Sequence, residues 1–365
     1  MNLRSTALFY ALLLKKRHEL GVSPIPTGPA QDLPAAAHAA YEDAIREAAR
    51  HVGDLHLRDR NIPQAWAFFR MIEEPDPVRA ALESHTPGEE EDIQPLVQVA
   101  FYEGVHPRKG FDWVLQRYGL CSAITHLGGH ELPFPDEVKH YCIKALVRAL
   151  YSELRGRLTA EIEAQEGKPP EGADSPEDTP GVVRRLIEGR GWLFAEDAYH
   201  VDTSHLSSVV QMSMHLGPSP ELGLARELCA YGRRLSGRFL GQADPPFEEQ
   251  YAAYGTYLDV LAGHEVEEGV AYFRAQAEKA DPDEVGTYPA EVLVNLLLRL
   301  DRPAEALAVA RKYLGAAQGR QLTCPSIQEL CQRLKDFRTL AEVAREQGDP
   351  VHFMAGLLAA QGAKL

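Results

Sequence analysis

The chain has 365 residues, enough for two or three compact units or one elongated array. Apolar residues make up 45% and charged residues 25%, the balance of a folded, water-soluble chain and not of a disordered or collagen-like one. With 53 acids against 38 Lys and Arg the net charge is -15, so a phosphate backbone or an anionic membrane meets net repulsion and nucleic-acid binding is not expected.

The apolar run Ala7 to Leu14 is followed by Lys15, Lys16 and Arg17, the reverse of a secretory signal, whose positive charges come first. No uninterrupted apolar stretch reaches the roughly 18 residues that a membrane-crossing helix needs, so no membrane insertion is expected. The five cysteines, Cys121, Cys142, Cys229, Cys324 and Cys331, are odd in number and form no C-x-x-C pair. Neither a disulfide scaffold nor a zinc ribbon is indicated, and a reducing cytoplasm fits best. Residues 1–34 read as an amphipathic N-terminal arm followed by a proline-rich linker. Ala, Leu, Glu and Arg dominate the remainder of the chain and alternating β-branched runs are nearly absent, so the predicted fold class is all-α.

An N-terminal helical domain is predicted over 35–164. Ala35 to Arg58 has the length of a helix, Asp59-Arg60-Asn61 forms a polar break, and Pro63 sits in the first turn of a second helix carrying Ala65, Trp66, Phe68 and Phe69. Gly53 stands where the first helix must approach the second, with Ala65 facing it, Phe69 one turn on and Pro77 closing the unit. That spacing resembles a tetratricopeptide repeat, although Ala49, Val52, His56 and Ile72 stand where the repeat prefers a large aromatic, Leu, Tyr and Ala. The resemblance implies stacked helical hairpins forming an α-α superhelix, with a concave surface for a protein or peptide partner.

Gln165 to Gly181 replaces periodic apolar residues with Pro, Gly and acids, and reads as a flexible linker or loop over 165–181. A C-terminal helical repeat domain is predicted over 182–365. Short polar turns fall at Gly263-His264, Asp301-Arg302-Pro303 and Lys335-Asp336, at intervals close to the roughly 34 to 40 residues of stacked hairpins. Each turn precedes an amphipathic run with small residues at helix crossings: Gly269, Ala271 and Phe273; Ala306, Leu307 and Ala310; Leu340, Ala341 and Ala344.

Candidate chemistry lies in the stretch between. His200, Asp202 and His205 could form a two-histidine, one-carboxylate site for a divalent transition metal such as Zn, Mn or Fe(II), with Glu196, one helical turn before His200, as a catalytic acid or base. The competing reading makes Asp202 the N-cap of a helix running from about Ser204 to Leu216 and the histidines interfacial. His126 to Glu131 reads as a loop. His106 to Trp113 mixes basic and aromatic residues, but Phe111, Val114, Leu115 and Tyr118 fall at helical core spacing. Arg184, Arg185 and Arg190, and Arg233, Arg234 and Arg238, could hold an anion or face solvent. No common nucleotide or hydrolase motif is present. The sequence supports two functional readings: a non-enzymatic helical-repeat interaction protein, or a metal-dependent enzyme built on the His200 cluster.

Overall fold

A computed structural model describes residues 3–25, 33–129, 134–170, 179–241, 243–281, 284–315 and 322–362. Among these residues there are seventeen α-helices and no strand, as an all-α reading requires. No described helix is long and apolar enough to cross a membrane. The chain divides into two units, Met1–Cys142 and Ile143–Leu365.

In the first unit, α1 (Leu3–Glu19) is not a free arm. It packs on α2 (Ala35–Arg58), with Phe9 and Leu13 buried in one cluster with Ala48, Ala49, Val52 and Phe68. The anticipated hairpin is present, because α2 folds back onto α3 (Ile62–Phe69). Asn61 caps α3 by accepting the Gln64 N–H, and Pro63 occupies its first turn. A Cβ on Gly53 would lie 2.5 Å from the Phe69 ring, so only glycine lets the aromatic lie flat on α2. The two helices are unequal, 24 and 8 residues. The chain continues through α4 (Asp76–Ser84) and α5 (Gln94–Val97) into a π-turn at Gln98–Tyr102, then α6 (Pro107–Gly128). Gly119, at φ 78°, interrupts α6.

The next helix, α7 (Asp136–Glu166), contains the division between the units. Its later part buries Val147, Tyr151, Leu154, Leu158 and Ile162 at helical spacing within the second unit. The anticipated boundary at 165–181 is therefore displaced. Arg190 holds Glu166 at 2.6 Å on one side, and Glu227 takes the Gly181 N–H on the other, so both flanks of that segment belong to one unit. Residues 171–178 of the segment lie outside the described residues.

The second unit continues through α8 (Val182–Ile187), α9 (Thr203–Ser213), α10 (Pro220–Gly232), α11 (Gln250–Leu261), α12 (Val266–Lys279), α13 (Tyr288–Arg299) and α14 (Pro303–Tyr313). It ends with α15 (Ile327–Leu334), α16 (Phe337–Glu346) and α17 (Pro350–Gly362). From α9 to α17 every helix packs on the next in sequence. The three anticipated polar turns separate α11 from α12, α13 from α14 and α15 from α16; Gly263, Asp301 and Lys335 reverse the chain there with positive φ. Gly269 is tight against Val260, and Phe273, Ala306, Ala310, Leu340 and Ala344 are buried. Ala271 faces solvent instead, and Val270 takes the buried position beside Gly269.

Three buried acids brace this unit. Glu221 on α10 accepts from Arg148 Nε at 2.8 Å, and Glu291 on α13 accepts from the N–H and hydroxyl of Thr323, both at 2.7 Å. Glu227 on α10 accepts from the Tyr151 hydroxyl at 2.7 Å, from Arg184 N–H at 3.2 Å and from Gly181 N–H. Each carboxylate closes off donors that a buried segment would otherwise leave unpaired. Burial alone pushes the Glu221 carboxyl up, but the hydrogen bonds and charge of Arg148, with Lys144, outweigh it and hold the group below the usual range.

Candidate functional site

The His200 stretch uses its residues separately. Glu196 is exposed, with φ 51°, at a kink in a 3-10 segment, so it does not share a helix face with His200. His200 is 4% exposed; its backbone N–H donates to the Tyr231 hydroxyl at 2.8 Å, and its Nδ1 lies 3.0 Å from the same oxygen. Its Nε2 is 2.9 Å from Glu161 Oε2, an ion-pair distance without the alignment of a hydrogen bond. Burial holds the imidazole below its usual range, against the charge of Glu161 and with that of Arg157.

Asp202 instead caps α9. Its Oδ1 accepts the N–H groups of Ser204 at 2.8 Å and His205 at 3.2 Å and the Ser204 hydroxyl at 2.5 Å, bonds that hold its carboxyl below the ordinary range. His205 lies in the first turn of the helix, behind that cap. Among the described residues, no group of three or more His, Cys, Asp or Glu comes together as a metal site. Asp202→Ala is expected to cost about 0.5–2 kcal/mol in a urea melt and Asp202→Asn almost nothing, since both native and amide side chains offer the capping oxygen. Equal losses in the two variants would contradict the capping role.

The other candidates are also dispersed. His126 lies in the last turn of α6, with Nδ1 2.6 Å from the Tyr102 hydroxyl, so this part of the predicted loop is helical; His130 and Glu131 lie outside the described residues. Arg190 pairs with Glu166, Arg238 with Asp197 at 2.6 Å, and Arg233 donates to the Ala252 carbonyl at 3.0 Å, while Arg234 lies over the Phe194 ring. Cys142, Cys229, Cys324 and Cys331 are buried, and Cys121 is exposed. Burial pushes the Cys142 and Cys229 thiols up to about 12, away from nucleophilic thiolate.

Two neighbouring concavities lie in the first unit. At α6, Lys109, Asp112, Trp113, Gln116 and Arg117 recur at i, i+3, i+4, i+7 and i+8 and so share one face. That face and the loop His85–Ile93 enclose a cavity of about 250 Å³. A second cavity, about 820 Å³, is lined by the same loop, by the α2–α3 turn with Arg58, Arg60 and Ile62, and by the end of α4. His85 and Thr86 border both. The loop is therefore a strap that lines both cavities.

The strap is fixed from both ends. Glu91 takes the Gly88 N–H at 3.0 Å and lies 3.0 Å from His85 Nε2. Arg117 donates to the carbonyls of Gly88 and Glu89. Trp113, 5% exposed, forms the floor, with the His85 ring edge-on at 6.1 Å and Lys109 Nζ 5.8 Å from its centre. Asp112 is half-buried beside the Tyr141 hydroxyl, 2.8 and 3.0 Å from its two oxygens. Burial raises the Asp112 carboxyl above its usual range, and the Tyr141 hydrogen bond and the Lys109 and His106 charges pull it back only in part. The cleft thus sets ammonium, guanidinium and carboxylate groups, a hydroxyl and an amide around an aromatic floor.

Helical spacing singles out 106–113 but assigns its aromatics to the core. Phe111 and Val114 are fully buried, as expected, whereas Tyr118 is 36% exposed and Trp113 faces the cleft. The available signal is a tryptophan on the polar face of α6. Arg58 and Arg60 carry no signal beyond a helix end and a turn. No protein-family model, no curated protein and no solved structure matches this chain.

Proposed function

We propose that the chain is a non-enzymatic helical-repeat interaction protein, whose stacked, tetratricopeptide-like hairpins present a concave surface to a protein or peptide partner. The observation that carries this reading is the packing of every helix from α9 to α17 on its sequence neighbour, with the α11–α12, α13–α14 and α15–α16 turns recurring at similar intervals. Such arrays grow by adding nearest-neighbour contacts and leave an extended face for a partner to lie along. The test is selection of a displayed random-peptide library on the purified full chain, followed by fluorescence polarisation with labelled synthetic peptides. Saturable one-to-one binding, displaced by unlabelled peptide, is expected. Failure to recover any such peptide would remove the reading.

A further inference from the structure

We infer that the outer face of α17 is the contact surface of a homodimer, in which α17 packs against α17 of a second copy of this chain across a two-fold axis. This stands apart from the interaction reading above, since it needs no foreign partner. A Cβ on Gly356 would lie 2.9 Å from both the Ala341 nitrogen and the Phe337 carbonyl oxygen, so α17 rests backbone to backbone on α16. Gly356 is the single buried residue of the helix, and little of its apolar side-chain surface is used to hold it there. Val351, Met354 and Leu358 recur at i, i+3 and i+7, on the side opposite Gly356. They are 72%, 54% and 61% exposed, and Leu357 beside them is 40% exposed. Of the twelve large apolar side chains exposed among the described residues, these four share one helix of 13 residues. Scattered singly they would need no explanation, but an apolar seam at this spacing is the kind on which helices pair.

Three observations make a second copy the occupant. Each helix from α9 to α16 has the next one packed on it, and α17 offers an apolar face with no described helix against it. What continues that packing is a helix with an apolar seam, and α17 is itself such a helix. An antiparallel pair sets Met354 of each copy against Leu358 of the other, with Ala355 and Leu357 flanking, so the surface complements itself as a two-fold contact demands. Charge is the third observation. The chain carries a net charge of -15, yet Pro350 to Gly362 holds no Asp, Glu, Lys or Arg. Two acidic copies repel wherever carboxylates face each other, and this seam lets them meet without burying like charges.

A helix of 13 residues is about 20 Å long, and its face covers less than the roughly 800 Å² per partner of a tight complex. The dimer is therefore reversible, with a dissociation constant on the order of 10–100 μM. Sedimentation equilibrium of the full chain from about 1 to about 300 μM should show the mass rising from the 40.4 kDa of the monomer toward twice that value. Raising salt from about 0.05 M to about 0.5 M should tighten the dimer several-fold, because screening removes the repulsion between acidic bodies and leaves the apolar contact. Met354→Glu with Leu358→Glu should weaken it about tenfold or more, as four carboxylates would crowd the axis. Val351→Glu, at the most exposed position of the seam, is the milder variant and should weaken it several-fold, whereas Met354→Leu should retain it. Circular dichroism and thermal melts identify the variants that keep the fold. A chain that stays monomeric at about 300 μM, a dimer that salt dissolves, or a dimer undiminished in a folded charge variant overturns the inference. A monomer that sediments with phosphatidylcholine vesicles, and ceases to do so in the same charge variants, also overturns it and makes a lipid surface the occupant.

Discussion

Replacing Glu227 with alanine is expected to destabilise the protein by about 2–4 kcal/mol, since each buried donor left unpaired costs about 1–3 kcal/mol. Glu227 is only 4% exposed and accepts from Tyr151, Arg184 and Gly181. Those donors come from α7, from α8 and from the segment entering α8, so the carboxylate fastens three pieces of chain to α10. Alanine removes the acceptor and leaves a cavity too confined for water to serve all of the donors. A urea melt should show a lower midpoint with an unchanged slope, the signature of lost stability in an otherwise similar fold. A loss under about 0.5 kcal/mol would mean that the donors find other partners.

The same residue gives a pH dependence with a definite sign. Burial raises the Glu227 carboxyl above its ordinary range, although the hydrogen bonds from Tyr151, Arg184 and Val183 and the Arg184 charge oppose it. The folded state therefore holds this proton more tightly than the unfolded chain does. Stability from this group is fully present below the unfolded value, about 4.3, and is lost as pH rises through the raised folded value. Glu227→Gln does not titrate, so the stability gap between wild type and this variant should narrow from pH 4 to pH 7. A gap that widens over that interval would show the carboxyl to be depressed instead.

This buried network explains where sequence reading succeeds and where it stops. Asn61, Pro63 and Gly53 announce the α2–α3 hairpin because capping, first-turn proline and close approach are each properties of a few neighbouring residues. Asp301-Arg302-Pro303 marks a turn for the same reason. The partners of Glu227 are different: Tyr151 lies 76 residues earlier in the chain, and nothing in the neighbouring sequence marks this glutamate as buried. The break between units is hidden too, because α7 keeps an unbroken helical pattern through it. Proline and glycine at 165–181 are the louder signal, yet hydrogen bonds tie the flanks of that segment together. The cleft is assembled from residues near 58, 85 and 113, three segments whose juxtaposition no spacing rule supplies. The His200, Asp202 and His205 pattern, by contrast, is compact in sequence, and the structure spends its acid on a helix cap.

Gly110→Ala is expected to cost about 2 kcal/mol, because this glycine sets how closely α6 approaches the chain before it. A Cβ there would lie 2.8 Å from the Phe101 backbone nitrogen, 2.9 Å from Phe101 Cβ and 3.0 Å from Ala100 Cβ. All three atoms belong to the π-turn at Gln98–Tyr102, and both Ala100 and Phe101 are fully buried, so neither side can yield by a side-chain rotation. Alanine normally favours a helix over glycine by about 1 kcal/mol, and here that gain is smaller than the cost of forcing two backbones apart. Gly53→Ala should also be costly, since its Cβ would lie 2.5 Å from the ring of Phe69, itself only 1% exposed. Displacing α6 at Gly110 also displaces Lys109, Asp112 and Trp113 relative to the strap, since all three lie within one turn of it. A thermal melt of the alanine variant should therefore show a lower midpoint while its helical spectrum at low temperature stays that of wild type. An alanine variant that melts with wild type would mean that α6 does not rest on the π-turn as closely as the glycine allows.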